Sequence, residues 1–229
     1  MSDADALALR LPSVSKVIWN ALVPNMRGYE RAKEAGIRFV DLVASASESH
    51  NKANLNRTTE ESMRDFEAIV ERAHVDGIRV RGDIATAFGC PFEIAVPRER
   101  VIWQAEWYVR MGVEEIGLAD TIGVAQPRQV YEVFQSLALA YPGLKLSAHF
   151  HDRRGFGLAN VLAALEGGAT AFDASIGGLG GCPYAPGAPG NLSTKLLVEF
   201  LEEMGVKTGI NLEKLEEAEK LLLSAVHKV

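Results

Sequence analysis

Six apolar, β-branched runs alternate with segments of helical period along this chain, and no other feature restricts the fold as much. The runs lie near residues 16–23, 38–46, 78–88, 114–120, 145–150 and 171–177. Between them the pattern predicts amphipathic helices. One covers 60–74 and starts from Thr58 and Thr59, whose side chains can cap free amides; another covers 97–111, with Pro97 suited to a first turn. Strand, helix and strand follow one another without a break, which predicts a parallel sheet, either open and doubly wound or closed into a β/α barrel. In both architectures ligands sit at the carboxyl ends of the strands. No low-complexity linker divides the chain, so 1–229 reads as a single domain. Its 229 residues, 48% of them hydrophobic, suffice to bury one sizeable core.

A formal net charge of −6 argues against a general nucleic-acid or membrane surface and leaves a small molecule as the expected partner. The two cysteines, Cys90 and Cys182, are too few for a disulfide framework. No signal segment and no apolar run of about 18 residues is present, so the cytoplasm is the expected compartment.

Polar residues gather where the strands end. His149 and His151 stand two apart at the end of the fifth run, and side-chain alternation turns both imidazoles to one face, close enough to share a cation. Two unrelated polar residues would give the same spacing. Metal binding is the favoured reading, because a barrel strand ordinarily carries Val and Ile inward and two of the chain's five histidines coincide here. Asp120, in LADT, suits a general acid or base, an orienter of a ligand, or a cap for the next helix. Cys182 sits in GGLGGCPYAPGAPGN beside glycines whose amides can stabilise a thiolate or oxyanion, although a free cysteine also serves as a small buried hydrophobe. Asn191 closes that loop and can ligate a hard cation or cap the helix near Ser193, while Cys90 reads as structural.

Taken together, GGLGGCPYAPGAPGN, HFHD, LADTIGV and ALVPNMRGYERA resemble the 3-hydroxy-3-methylglutaryl-CoA lyase family over nearly the whole chain. The G-G-C-P-Y-A segment is the most specific part, since related acyl-CoA synthases and aldolases lack it. The resemblance implies an α/β fold of the TIM-type (β/α)8 barrel kind and a divalent cation, Mg²⁺ or Mn²⁺. It also implies an acyl-CoA substrate cleaved to acetyl-CoA and acetoacetate, as in leucine degradation and ketone-body formation, and a homodimer. By position, His149, His151 and Asn191 match the family's metal ligands, Cys182 its active-site thiol and Asp120 its strand-end carboxylate; His149 or Asp120 would take part in the first proton transfer.

One departure accompanies the match. Family members begin with a strand bearing an Arg-Asp-Gly-Leu-Gln-like segment, whose aspartate ligates the metal, and continue with a strand bearing a catalytic glutamate. Residues 1–229 contain neither, and MSDADALALRLP resembles the stretch leading into the third family strand. The six runs are therefore expected to be strands three to eight of the barrel, in a catalytic domain incomplete at its N-terminus. The alternatives are a non-catalytic barrel fragment and a lyase or aldolase for another branched 3-hydroxyacyl-CoA.

Overall fold

The computed structural model describes residues 3–11, 17–93, 95–180 and 190–226. In chain order the elements are α1 (Ala4–Ala8), β1 (Ala21–Leu22), α2 (Met26–Glu34), β2 (Phe39–Ser45), α3 (Glu48–Leu55), α4 (Thr59–Asp76), β3 (Arg79–Ala85) and α5 (Arg98–Met111). They continue with β4 (Glu115–Asp120), α6 (Pro127–Ala140), β5 (Lys145–Phe150), α7 (Gly157–Glu166), β6 (Ala171–Asp173), α8 (Thr194–Glu203) and α9 (Leu212–Val226). All neighbouring strands pair in parallel, in the order β1-β2-β3-β4-β5-β6.

The expected helices form where the pattern placed them. Thr58 begins α4 with a complete capping box: its side chain accepts from the Glu61 amide, and the Glu61 carboxylate accepts from the Thr58 amide. Pro97 stands just before α5 rather than within its first turn. Strand β5 matches its expected extent and β2 and β4 fall within one residue of theirs at each end, whereas β1, β3 and β6 are shorter. β3 stops at Ala85 because Thr86 turns to a positive φ of 54° and sends its amide to the Thr121 hydroxyl. β1 and β6 are the edges, each with one neighbour among the described residues. β6 gives way after Asp173 to a 3-10 turn at Ile176–Gly178.

Along the central strands the two faces differ sharply. Val40, Leu42, Ala44, Val80, Ile84, Ile116, Leu118, Leu146, Ala148 and Phe150 are all at most 1% exposed and belong to the core shared with the helices. The alternate positions carry Asp41, Arg81, Asp83, Glu115, Ser147 and His149. The inner face is thus charged, contrary to the Val and Ile lining expected of an ordinary barrel strand.

The sheet is also curled about that charged face. Arg81 on β3 donates to Asp173 on β6 through two bonds of 3.0 Å. Three strand spacings would separate these strands by roughly 14 Å in a flat sheet, beyond the reach of the two side chains. Among the described residues β1 and β6 do not pair with each other, so the curl is an open arc.

Close packing behind the arc depends on Gly82. A Cβ there would fall 2.4 to 2.7 Å from the Tyr108 ring, whose hydroxyl donates to the Leu42 carbonyl at 2.8 Å. Gly82→Ala is expected to cost about 1–3 kcal/mol, as overpacking does in a closed core. The measurement is a urea titration, which should show a lower midpoint with an unchanged slope.

Candidate active site and metal centre

The carboxyl ends of the strands are knitted together by side-chain bonds to backbone. The Ser47 amide donates to the Thr86 hydroxyl at 3.2 Å, and the Thr86 amide donates to the Thr121 hydroxyl at 2.8 Å, which ties the ends of β2, β3 and β4 to one another. A cleft of about 460 Å³, lined in part by Phe88, Val96, Ile122, Gln129 and Arg154, opens beside these ends. Cys90, also on its wall, is 2% exposed and donates to the Ser47 hydroxyl at 2.9 Å, in keeping with a structural role.

At the end of β5 the two expected histidines do converge. The His149 and His151 rings lie 5.3 Å apart between centroids. His151 is buried, and the His149 side chain keeps about a third of its surface, 32%, open. Asn191 joins them because the chain after the glycine-rich loop returns beside β5. His151 and Asn191 form an antiparallel bridge, and the Leu192 amide donates to the Phe150 carbonyl at 3.0 Å.

The Asn191 side chain is fixed by Nδ2, which donates to the Leu179 carbonyl at 2.9 Å. Gly180 makes this approach possible: its φ is +109°, and a Cβ there would stand 2.6 Å from Nδ2. The other end of the amide, Oδ1, is buried without a hydrogen-bond partner among the described residues. The N-cap residue of α8 is Ser193, so the helix-capping alternative for Asn191 does not apply.

Neutral imidazoles and an amide oxygen are all donors to divalent cations, and a buried oxygen lacking a hydrogen bond is costly unless some other group meets it. These residues therefore fit a metal. Among the described residues no three His, Cys, Asp or Glu side chains gather as a ligand set, so the donor set at this point is two imidazoles and one amide.

Asp120 is fully buried at the end of β4, and its oxygens accept from the Val124 amide at 2.9 Å and the Ala125 amide at 3.0 Å. It thus shapes the loop leading into α6. Burial pushes its carboxyl above the usual range, and the loop amides and His149 offset only part of that. Cys182 lies outside the described residues.

Deeper in the arc lies a group that the sequence reading missed. The Arg81 guanidinium meets Asp41 at 3.4 Å, Asp83 at 3.1 Å, Glu115 at 3.7 Å and Asp173 at 3.0 Å, with 11% of its side chain exposed. Asp41, Arg81 and Glu115 are direct neighbours in the parallel register. One cation cannot satisfy three buried carboxylates and a fourth, Asp173, that is half-buried. Burial pushes Asp41 up to about 6 and Asp83 up to about 7, with Arg81 offsetting only part of each shift. Asp173 behaves differently: burial raises it, but His149 and Arg81 together bring it down to about 2. It reaches His149 Nδ1 at 3.5 Å. The available signal was a charge at every second position of otherwise apolar runs, as in FVDLV and RVRGDI.

Similar proteins share both the sequence and the architecture. The HMGL-like family model matches residues 8–222. Hydroxymethylglutaryl-CoA lyase of Bacillus subtilis is 44% identical over 220 residues, which cover 96% of this chain and 74% of the relative. (R)-citramalyl-CoA lyase of Chloroflexus aurantiacus is 45% identical over 197 residues, covering 86% of this chain and 62% of that protein. An HMG-CoA lyase structure from Acinetobacter baumannii, in complex with coenzyme A and 3-methylmalate, aligns with a TM-score of 0.92 at 41% identity, over 97% of this chain and 72% of that one.

Proposed function

The chain belongs to the HMGL-like family, and from that premise we propose that it cleaves 3-hydroxy-3-methylglutaryl-CoA to acetyl-CoA and acetoacetate. The observation that carries this reading to the site is the convergence of His149, His151 and the unpartnered Asn191 Oδ1 at the end of β5. In the same reading the six strands are the third to eighth of an eight-stranded barrel. The sequential strand order and the 72–74% of two relatives' lengths that this chain spans support it. Residues 1–229 then form one catalytic domain whose remaining two units lie outside them. An acyl-CoA is its small-molecule partner, Mg²⁺ or Mn²⁺ its cation, the cytoplasm its compartment and a homodimer its assembly.

The reaction is a retro-Claisen cleavage. The substrate's 3-hydroxyl loses its proton, the bond between C2 and C3 breaks, and C3 becomes the ketone of acetoacetate. The electron pair passes to the thioester enolate, which takes a proton on carbon to give acetyl-CoA.

His149, His151 and Asn191 would hold the divalent cation, which supplies Lewis-acid polarisation of the substrate oxygens when bound. Asp120, whose carboxyl burial raises, receives the hydroxyl proton, because His149 has no free lone pair once one ring nitrogen ligates the cation and the other carries its N–H. Cys182 delivers the proton to the departing acetyl-CoA carbon.

A coupled assay of acetyl-CoA release with added Mn²⁺ tests the reading, and no release above background would favour the non-catalytic fragment. Cys182→Ser, nearly isosteric but a much weaker acid, is expected to lower turnover by about a hundredfold or more while leaving the melting temperature in place. If stability collapses and the folded remainder turns over normally, Cys182 is structural. The similarity to (R)-citramalyl-CoA lyase supports a second reading, cleavage of another branched 3-hydroxyacyl-CoA. A substrate panel ranked by kcat/KM decides between the two.

A further inference from the structure

Resting on the reading of His149 as a metal donor, we propose that Asp173 is a positioning residue for His149 and that Arg81 is the clamp that holds Asp173 in place. His149 and Asp173 are register neighbours on β5 and β6, and Asp173 Oδ2 lies 3.5 Å from His149 Nδ1. The same carboxylate accepts two parallel bonds from Arg81, Nη1 to Oδ1 and Nη2 to Oδ2, both 3.0 Å. Such a fork fixes the plane of the carboxylate as well as its charge.

A neutral imidazole has one N–H and one lone pair. A carboxylate facing Nδ1 demands the N–H there, which leaves the lone pair on Nε2, across the ring and free to ligate. Arg81 contacts Asp41, Asp83 and Glu115 as well, but among the described residues the carboxylate paired with His149 is that of Asp173. Orientation of the donor is therefore set from β3, two strands away from β5, by a side chain whose ion-pair partners among the described residues are carboxylates.

Asp173→Asn tests this with little change in volume. Arg81 retains the amide oxygen as an acceptor at either position, and where the NH₂ takes the place of Oδ2 it faces His149 Nδ1 and moves the N–H to Nε2, so the neutral amide no longer holds a single tautomer. In metal-free protein with ¹⁵N-labelled histidine, long-range ¹H–¹⁵N spectra above pH 8 should show His149 protonated on Nδ1 in the unaltered chain and a mixture with a substantial Nε2-protonated share in the variant. The His149 signals are identified by their loss in His149→Ala. Mn²⁺ affinity from EPR titration should fall about 10- to 100-fold, the usual effect of losing such an outer partner.

Asp83→Asn also removes a carboxylate from Arg81, without contacting His149, and should move neither readout. Should Asp173→Asn fail to fold, Arg81→Lys keeps the charge but loses the fork, and should leave His149 as a mixture of tautomers with weakened Mn²⁺ binding. An unchanged tautomer and affinity in Asp173→Asn, or equal shifts in Asp83→Asn, would overturn the proposal. A His149→Ala variant that binds Mn²⁺ normally would instead overturn the ligand reading, and the tautomer spectra separate the two failures.

Discussion

Arg81→Met loses about 3–5 kcal/mol of stability at pH 8, the scale expected when one partner is deleted from a buried ionic cluster and the others are left facing one another. Four carboxylates then share the inner face of the arc with no cation between them. The loss should shrink toward pH 5, and the sign follows from the direction of the shifts. Burial pushes Asp41 up to about 6 and Asp83 up to about 7 in the folded chain, above the ordinary aspartate value of 3.8. Between those limits the folded state binds more protons than the unfolded state, so the contribution of these two groups to stability falls as pH rises. Their cost is complete above about 7 and disappears as the pH falls below the unfolded value. Adding Asp83→Asn to Arg81→Met should restore about 1–3 kcal/mol at pH 8 by removing one of the stranded charges. Urea midpoints at the two pH values measure all of this. A loss below about 1 kcal/mol, or one that is equal at both pH values, would mean that the cluster is more hydrated than its burial indicates.

The second large effect is on the metal. His149→Ala and His151→Ala should each weaken Mn²⁺ binding by more than about a hundredfold, beyond the usual effect of altering an outer partner, and, in a complete chain, reduce acetyl-CoA release to background. Each change leaves one imidazole and the Asn191 amide to hold the ion. The two variants should differ in stability, because His151 is 6% exposed whereas the His149 side chain keeps 32% of its surface open. His149→Ala therefore separates ligation from folding more cleanly. Unchanged Mn²⁺ affinity in both variants would remove the site.

The sequence made different parts of this molecule visible to different degrees, and the physical reasons can be traced residue by residue. β4 and β5 were legible because they lie inside the sheet, where a continuous apolar face and pairing on both sides coincide. Start signals such as Thr58 and Glu61 were equally clear, since a capping box is local. The edges were not. Residues 171–177 look uniformly suited to a strand, but β6 ends at Asp173, where an apolar pattern cannot report whether a partner strand continues. Spacing alone brought His149 and His151 to one face, and the resemblance added Asn191. What no local pattern could supply was the return of the chain that bridges Asn191 to His151, 40 residues earlier in the numbering. Nor could it supply the pairing of Arg81 with Asp173, 92 residues apart. Charges alternating with apolar residues hinted at a polar interior; which acid meets which base depends on curvature.

That curvature has a temporal side. Because the strand order follows the chain, each strand pairs with the one just before it, and every closure along the way spans only one or two helices and their loops. Arg81 is the exception, since its fork is completed only when β6 arrives. The fork therefore spans the arc only once β6 is in place, and the histidine beside Asp173 meets its carboxylate in that same step.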